Sequence, residues 1–239
     1  MFAAWNMQMS RPTKDIDLLG IIDNSPAVIV AAIKKACELN VEPDGMYFDA
    51  RTVSAEKITE DANYEGVRVR LQGNLSNARI TLQVDIGFGD IIFPDAVEIT
   101  YPTMLDFPPA KLKGYSKEST IAEKFQAMVK LGVLTGRMRD FFDVWMFSQK
   151  FDFKGRTLGT AIRKTFENRK TEIPAEPSIF QDSFAQDKEK EIQWQAFLKR
   201  GNIGKAPKTF ADAIRAIKEF LGPIIAALTY KKSFEKKWF

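Results

Sequence analysis

The hydrophobic pattern changes near Ser116, and this change constrains the fold more than any other feature of the 239-residue chain. Before Ser116, short stretches alternate apolar and polar residues, the pattern of strands with one buried face. After it, apolar residues recur every three or four positions, as on one face of a helix. We therefore predict an α+β fold, with a mixed β-sheet core and flanking helices in residues 1–115 and a mainly helical part in residues 116–239.

The boundaries of the elements follow from turn and capping signals. In the first part we predict a helix that starts with Pro26 in its first turn and runs to about Leu39. A turn at residues 73–77 should join two strands into a hairpin. The predicted strands span residues 16–21, 46–48, 66–71, 79–86 and 97–101, and the hairpin joins 66–71 to 79–86. The predicted helices of the second part span residues 119–131, 137–149, 156–168, 187–199 and 208–228.

Composition excludes several kinds of chemistry. The chain contains no histidine, which rules out Ser-His-Asp and Cys-His catalysis and histidine-ligated zinc. Its single cysteine, Cys37, cannot form an internal disulfide and lies in an apolar run, where a small buried side chain is expected. No run reaches the roughly 18 apolar residues of a membrane span. We expect a cytoplasmic protein with no membrane partner.

Three aspartates in two short phrases predict a metal site. Asp15 and Asp17 alternate in RPTKDIDLLG, so they project from the same face of a strand. Asp85 ends a second alternating stretch, ITLQVD, which can pair beside the first. Carboxylate oxygens suit Mg²⁺, which proteins usually hold with one or two carboxylates together with substrate phosphates. The three carboxylates thus predict a site for nucleotidyl transfer.

The helical part contributes a second group of candidates. Lys124 lies at the border of an apolar helix stripe, where its ammonium can bind nucleotide phosphates. Asp140 and Asp143 are three residues apart in RMRDFFDVW and share a helix face. Two structural alternatives stay open, because Asp143 can pair with Arg139 and Lys124 can be a solvated surface residue.

Charge is unevenly distributed along the chain. Residues 151–239 contain 18 lysines and arginines against 11 acidic residues, whereas residues 1–150 contain 17 against 20. A basic region beside an acidic catalytic part favours a polyanionic substrate such as RNA, although solvated lysines on helix surfaces give the same composition. The candidate RNA contacts are Arg163, Lys164, Arg169, Lys170, Lys199 and Arg200.

Four blocks in order resemble the AbiEii/AbiGii nucleotidyltransferase toxin family of type IV toxin–antitoxin and abortive-infection systems. They are RPTKDIDLLG, GVRVRLQGNLSNARITLQVDIGFGD, YPTMLDFPPAKLKGYSKESTIAEKFQAMVKLG and RMRDFFDVW. The resemblance implies a nucleotidyltransferase-like sheet core, an NTP co-substrate, Mg²⁺, a cognate antitoxin and transfer of a nucleotide to RNA, with tRNA 3′ ends as the acceptor.

The resemblance also implies roles for individual residues. Asp15 and Asp17 match the metal-binding DxD, and Asp85 matches the third carboxylate, a second-metal ligand or a base. Lys124 matches a lysine implicated in nucleotide binding and catalysis. Asp140 and Asp143 match an acidic helix phrase of the R-D-x-x-D type, and Asp140 is favoured because it follows the basic residues directly.

One departure from the family pattern concerns the N-terminus. The family has a Gly-Gly or Gly-Ser turn upstream of DxD, where backbone N–H groups hold the triphosphate. We expect this chain to be N-terminally truncated, without that turn and the first core strand. Two alternatives therefore stand beside the RNA-modifying enzyme: a catalytically impaired relative that binds an antitoxin or nucleic acid, and a nucleotidyltransferase that modifies protein hydroxyls.

Overall fold

The computed structural model describes residues 5, 16–61, 64–103, 106–230, 232 and 234–238. Contacts divide the chain into two compact units. The sheet unit consists of the described residues of 13–90, and the helical unit consists of Trp5 and the described residues of 91–239. Each unit has a hydrophobic core of its own.

The sheet unit contains four strands and one helix. In chain order they are β1 (Ile16–Gly20), α1 (Pro26–Cys37), β2 (Met46–Asp61), β3 (Tyr64–Leu75) and β4 (Ala78–Phe88). The strand order is β1-β4-β3-β2. β1 runs parallel to β4, whereas β4, β3 and β2 form antiparallel pairs. The mixed sheet predicted from the sequence is confirmed.

Alternation divides the sheet into an apolar face and a polar face. Val67 and Val69 on β3 and Val84 on β4 are buried against Ile29 of α1. The residues that alternate with these valines, Arg68 on β3 and Gln83 and Asp85 on β4, are polar and project to the other face. Cys37 packs at the edge of this core, where burial raises the pKa of its thiol.

The helical unit begins with a two-stranded antiparallel hairpin, β5 (Val97–Tyr101) and β6 (Ala110–Gly114). The helices are α2 (Lys117–Leu131), α3 (Met138–Lys150), α4 (Gly155–Asn168), α5 (Asp182–Ala185), α6 (Lys188–Gly201) and α7 (Phe210–Thr229). Short strands β7 (Phe153–Lys154) and β8 (Lys237–Trp238) pair and fold the tail back onto the start of α4. The predicted long helices are present, whereas β2 beyond residue 48, the strands β6, β7 and β8, and the one-turn α5 were not predicted.

Aromatic side chains build the core of the helical unit. Phe141 on α3 packs edge-on against Phe210 on α7, with ring centroids 5.2 Å apart, and also contacts Phe184 on α5. Trp194 on α6 is fully buried, and its ring centroid lies 6.0 Å from that of Phe210. The amphipathic stripes read from the sequence therefore converge on one shared core.

The contacts place the division between the units after Asp90, whereas the sequence predicts a boundary at residue 115. The difference arises at the start of α2. Ser116 caps this helix by accepting a hydrogen bond from the Ser119 amide, and both hydroxyls donate to the Phe93 carbonyl. Phe93 also packs against the core of the helical unit, so the segment after Asp90 belongs with the helices.

Candidate active site

Asp17 and Asp85 lie side by side on adjacent strands of the sheet unit. The parallel register pairs Asp17 on β1 with Asp85 on β4, as the sequence predicts for these strands. Residues in register on neighbouring strands project from the same face, here the polar one. Asp15, the other half of the predicted DxD pair, lies outside the described residues.

The same register brings Arg68 next to Asp85. Arg68 on β3 is the antiparallel partner of Asp85, and Glu56 on β2 is the partner of Arg68. Asp17, Asp85, Arg68 and Glu56 thus form a charged row across four strands. Arg68 Nε and Nη2 donate to the two carboxylate oxygens of Asp85, both at 2.8 Å.

This ion pair determines the ionisation of Asp85. The hydrogen bonds from Arg68 hold the pKa of the Asp85 carboxyl below its ordinary value, although partial burial acts in the opposite direction. Gln83 adds a hydrogen bond of 3.2 Å from its side-chain amide. Asp85 is therefore a stable carboxylate at neutral pH and a weak base.

The donor chemistry of the charged row suits a hard divalent cation in part. Asp17 supplies carboxylate oxygens of the kind that Mg²⁺ prefers, and Asp15 adds another carboxylate in the sequence. Arg68, however, engages both oxygens of Asp85. Within the part of the chain that the structure describes, no group of three or more acidic, histidine or cysteine side chains could hold a metal ion. The magnesium set Asp15, Asp17 and Asp85 stays a prediction.

The helical unit brings Lys124, Asp140 and Asp143 together. The Lys124 ammonium on α2 donates to Asp140 Oδ1 and lies 2.8 Å from Oδ2 of Asp143, both residues of α3. The Asp140 and Asp143 side chains are 4% and 0% exposed, whereas the Lys124 side chain is 18% exposed. Lys124 is thus a partly buried ion-pair partner of both aspartates, and the solvated alternative is wrong.

Arg137 completes this Lys124 cluster of Lys124, Arg137, Asp140 and Asp143. Its Nε donates to Asp140 Oδ2 at 2.5 Å from the residue before α3. Two cations thus balance the two carboxylates, which are the buried members of the cluster.

The cluster keeps its members charged. Burial alone would raise the pKa of Asp140, but Lys124 and Arg137 lower it further than burial raises it. Burial would likewise lower the pKa of Lys124, but Asp143 and Asp140 raise it above its ordinary value. Lys124 is therefore an ammonium throughout the physiological pH range, able to act as a point charge and not as a base.

Sequence reasoning missed Arg68 and Arg137, although signals for both existed. A two-residue turn at Ser76 and Asn77 sets the β3–β4 register, and counting back along the two strands places Arg68 opposite Asp85. Arg137 precedes Asp140 by three residues, a spacing that allows contact at the start of a helix.

The predicted RNA contacts differ in accessibility. Arg163, Lys170, Lys199 and Arg200 are exposed. Lys164 lies over the Phe93 ring at 4.7 Å. Arg169 donates to the Gln126 side chain of α2 at 3.0 Å and lies near Glu123, so it connects α2 to the end of α4.

Within the helical unit, the Lys124 ammonium lies between two buried aspartates and is suited to bind a phosphate group. Within the sheet unit, Asp17 and Asp85 lie in register on adjacent strands. Comparison with known proteins identifies the class. The family model of the nucleotidyl transferase AbiEii toxin, a type IV toxin–antitoxin system, matches residues 2–220, and the chain belongs to this family. It is a nucleotidyltransferase, and family membership implies an NTP substrate and an antitoxin partner.

Solved structures and curated sequences are less similar to this chain than the family model is. JHP933 from Helicobacter pylori is 12% identical, with a TM-score of 0.48 over 97% of this chain and 83% of that chain. A second H. pylori protein, described as a proposed nucleotidyltransferase, is 11% identical, with a TM-score of 0.44 over 97% of this chain and 86% of that chain. No curated protein matches the chain significantly. Likenesses this distant carry no conclusion about function.

None of the helices in the described residues is both long enough and apolar enough to span a membrane.

Proposed function

We propose that this protein is a Mg²⁺-dependent toxin that transfers a nucleoside monophosphate from an NTP to an RNA acceptor, the 3′ end of tRNA, and that a cognate antitoxin restrains it in abortive infection. Family membership supports the reaction class. The observation that carries the nucleotide-binding role is the Lys124 cluster, which holds an ammonium at the margin of a buried acidic pair.

Lys124 is suited to bind a phosphate because its donors are only partly used. An ammonium has three N–H donors. Two are directed to Asp140 and Asp143 among the described residues, which leaves one for a phosphate oxygen. With 18% of its side chain exposed, Lys124 remains within reach of a ligand.

Asp140 and Asp143 act on the nucleotide through Lys124. Both are nearly buried, and their contacts restrict the ammonium to one position. A charge that is already oriented costs little reorganisation when negative charge develops on the phosphates. We assign the two aspartates as positioning residues and Lys124 as the group that touches the substrate.

On the sheet unit, Asp15 and Asp17 would hold the magnesium ion. When bound, that ion would neutralise part of the triphosphate charge. In the transfer, the acceptor oxygen bonds to the α-phosphorus and the bond to pyrophosphate breaks. The proton of the acceptor hydroxyl passes to solvent, because Arg68 engages both carboxylate oxygens of Asp85.

Exposed cations of the helical unit support an RNA acceptor. Arg163, Lys170, Lys199 and Arg200 can contact phosphates without breaking the ion pairs of the Lys124 cluster. Binding through such contacts should weaken as salt increases, because counterions are released when phosphates are neutralised.

The proposal is tested by incubating the purified protein with tRNA, Mg²⁺ and each α-labelled NTP in turn. We expect label on the tRNA with the wild-type protein. Asp17→Asn and Lys124→Met should lower the rate about 100-fold or more, since each removes a charge that stabilises the phosphates. Asp95→Asn and Lys113→Met, at exposed positions of the same chain, serve as matched controls.

Other outcomes would identify the alternatives. Label on protein and none on RNA would indicate that the acceptor is a protein hydroxyl. No label on either, without stabilisation by NTP and Mg²⁺ in thermal unfolding, would indicate a non-catalytic relative. Equal transfer by wild type, Asp17→Asn and Lys124→Met would refute the assigned site.

A further inference from the structure

Arg68 occupies a position on the polar sheet face, beside Asp85, where a metal ion could otherwise bind. It lies in register with Asp85, which in turn lies in register with Asp17. The three residues belong to adjacent strands β3, β4 and β1, so their side chains project from the same face.

Both oxygens of Asp85 are engaged by this arginine. The two N–H groups of the guanidinium fork contact Oδ1 and Oδ2 at 2.8 Å each, and Gln83 contacts Oδ2 at 3.2 Å. Bidentate pairs of this kind are the strongest hydrogen-bonded ion pairs. Mg²⁺ requires near-ideal octahedral geometry, which a carboxylate held in this way cannot readily supply.

The ion pair is also built into the sheet. Arg68 lies in register with a residue on each neighbouring strand, Asp85 on β4 and Glu56 on β2. Glu56 is engaged by Arg70 at 2.6 Å, so a second arginine satisfies the acidic neighbour on that side. The side chains of Arg68 and Asp85 are 29% and 15% exposed, and an arginine stays protonated in such a site.

We propose that Arg68 fills the second cation position of the charged row, so that the sheet binds one divalent ion and Asp85 positions Arg68 instead of ligating a metal. The inference rests on the proposed function, since it concerns how that site balances the triphosphate charge. It replaces the sequence-based role of Asp85 as a second-metal ligand. A fixed guanidinium supplies positive charge at this position without the need to recruit an ion from solution.

The test counts bound Mn²⁺ on the protein alone, by electron paramagnetic resonance of the unbound ion. Mn²⁺ accepts the same carboxylate ligands as Mg²⁺. We expect one ion per wild-type chain. Asp85→Asn should leave both the number of ions and their affinity unchanged within about twofold, because Asp85 is not a ligand.

Removing the arginine should create the second site. Arg68→Met is expected to raise Mn²⁺ binding to two ions per chain, or to tighten it about tenfold, because Asp85 then becomes available as a ligand. The double variant Arg68→Met with Asp85→Asn should lose this gain. Arg68→Lys retains the charge but loses the two-pronged contact with Asp85, so its Mn²⁺ binding should lie between those of wild type and Arg68→Met. Arg70→Met, which removes the neighbouring Arg70–Glu56 pair, is the matched control.

Two failures are distinguishable. If the wild-type chain bound two ions and Asp85→Asn lost one of them, the role of Arg68 would be overturned and the proposed function would stand. This measurement does not require Arg68→Met to fold. Mn²⁺ binding by a folded Arg68→Met that equals wild-type binding would also overturn the role of Arg68. No Mn²⁺ binding by any variant would overturn both this inference and the metal assignment, whereas the transfer assay reports separately on the reaction.

Discussion

At the scale of single residues, the pairs of Lys124 with its aspartates and the Arg68–Asp85 pair differ in how far they are removed from water. Lys124 contacts aspartates that are 4% and 0% exposed, whereas Arg68 and Asp85 retain 29% and 15% exposure. Breaking a buried pair leaves an uncompensated charge in a medium of low polarity. Changes in the Lys124 cluster should therefore affect stability as well as activity, and the two effects must be measured separately.

The stability effect of Asp140→Asn should depend on pH. The pKa of Asp140 is lowered in the folded protein, so its contribution is fully present above the unfolded pKa of about 3.9 and is lost as pH falls through the lower folded value. We expect a loss of about 3 kcal/mol near pH 7, the range for a broken buried pair. The difference from wild type should shrink below about pH 4.

Urea unfolding between pH 3 and pH 7 measures this difference. Asp152→Asn, an exposed aspartate that follows α3, is the control and should change stability by less than about 0.5 kcal/mol. A difference between wild type and Asp140→Asn that is constant over the whole pH range would contradict the assigned ion pair.

At the scale of elements, contacts at helix termini determine which segments stay together. Ser116 links the start of α2 to the Phe93 carbonyl. At the start of α4, the Gly155 amide donates to the Lys236 carbonyl at 2.8 Å, beside the β7–β8 pair. Arg156 adds an ion pair with Glu235. Backbone contacts of this kind hold the C-terminal tail, since exposed ion pairs contribute little.

Gly155→Ala should loosen the tail. An added Cβ would lie 2.3 Å from Phe234 Cδ1 and 2.7 Å from the Lys236 carbonyl oxygen, and the latter is backbone that cannot rotate away. We expect Gly155→Ala to destabilise the docking of the tail by about 1–3 kcal/mol, as at other overpacked sites. Trypsin cleavage after Lys236 or Lys237, followed by mass spectrometry, should become faster.

The matched control is Gly204→Ala, where an added Cβ meets no atom within 4 Å. Its tail should be cleaved at the wild-type rate. Equal cleavage rates in Gly155→Ala and wild type would show that the tail does not depend on this close approach.

At the scale of the whole molecule, the two units contain separate hydrophobic cores. One is centred on the sheet and α1, and the other on the aromatic residues of the helices. Local opening should therefore follow the division of the chain after Asp90.

Val69→Ala tests this division by hydrogen exchange. Val69 is fully buried in the sheet, and its truncation should cost about 2 kcal/mol by cavity formation. We expect faster exchange of amides in β3 and β4 and unchanged exchange in α3 and α4. Val133→Ala, at an exposed position, is the control. Equal acceleration in both units would mean that the chain opens as a single cooperative unit.

Local patterns determined much of this fold. Alternation predicts β1, β3, β4, β5 and the first three residues of β2, and the short turn at Ser76 and Asn77 fixes which residues of β3 and β4 face each other. Capping and apolar periodicity predict α2, α3, α4, α6 and α7 within one or two residues at most ends. These features depend on interactions between residues close in sequence, which a sequence displays directly.

The sequence by itself determined the class of protein and its candidate residues, including Lys124 and the carboxylates. Only the tertiary structure decided the partners of those residues. Packing of α2 against α3 brings Lys124 onto Asp140 and Asp143, 16 and 19 positions away, and the sheet register sets Arg68 against Asp85. Charge–charge energies depend on distance and burial, and both are properties of the folded chain and not of the order of its residues.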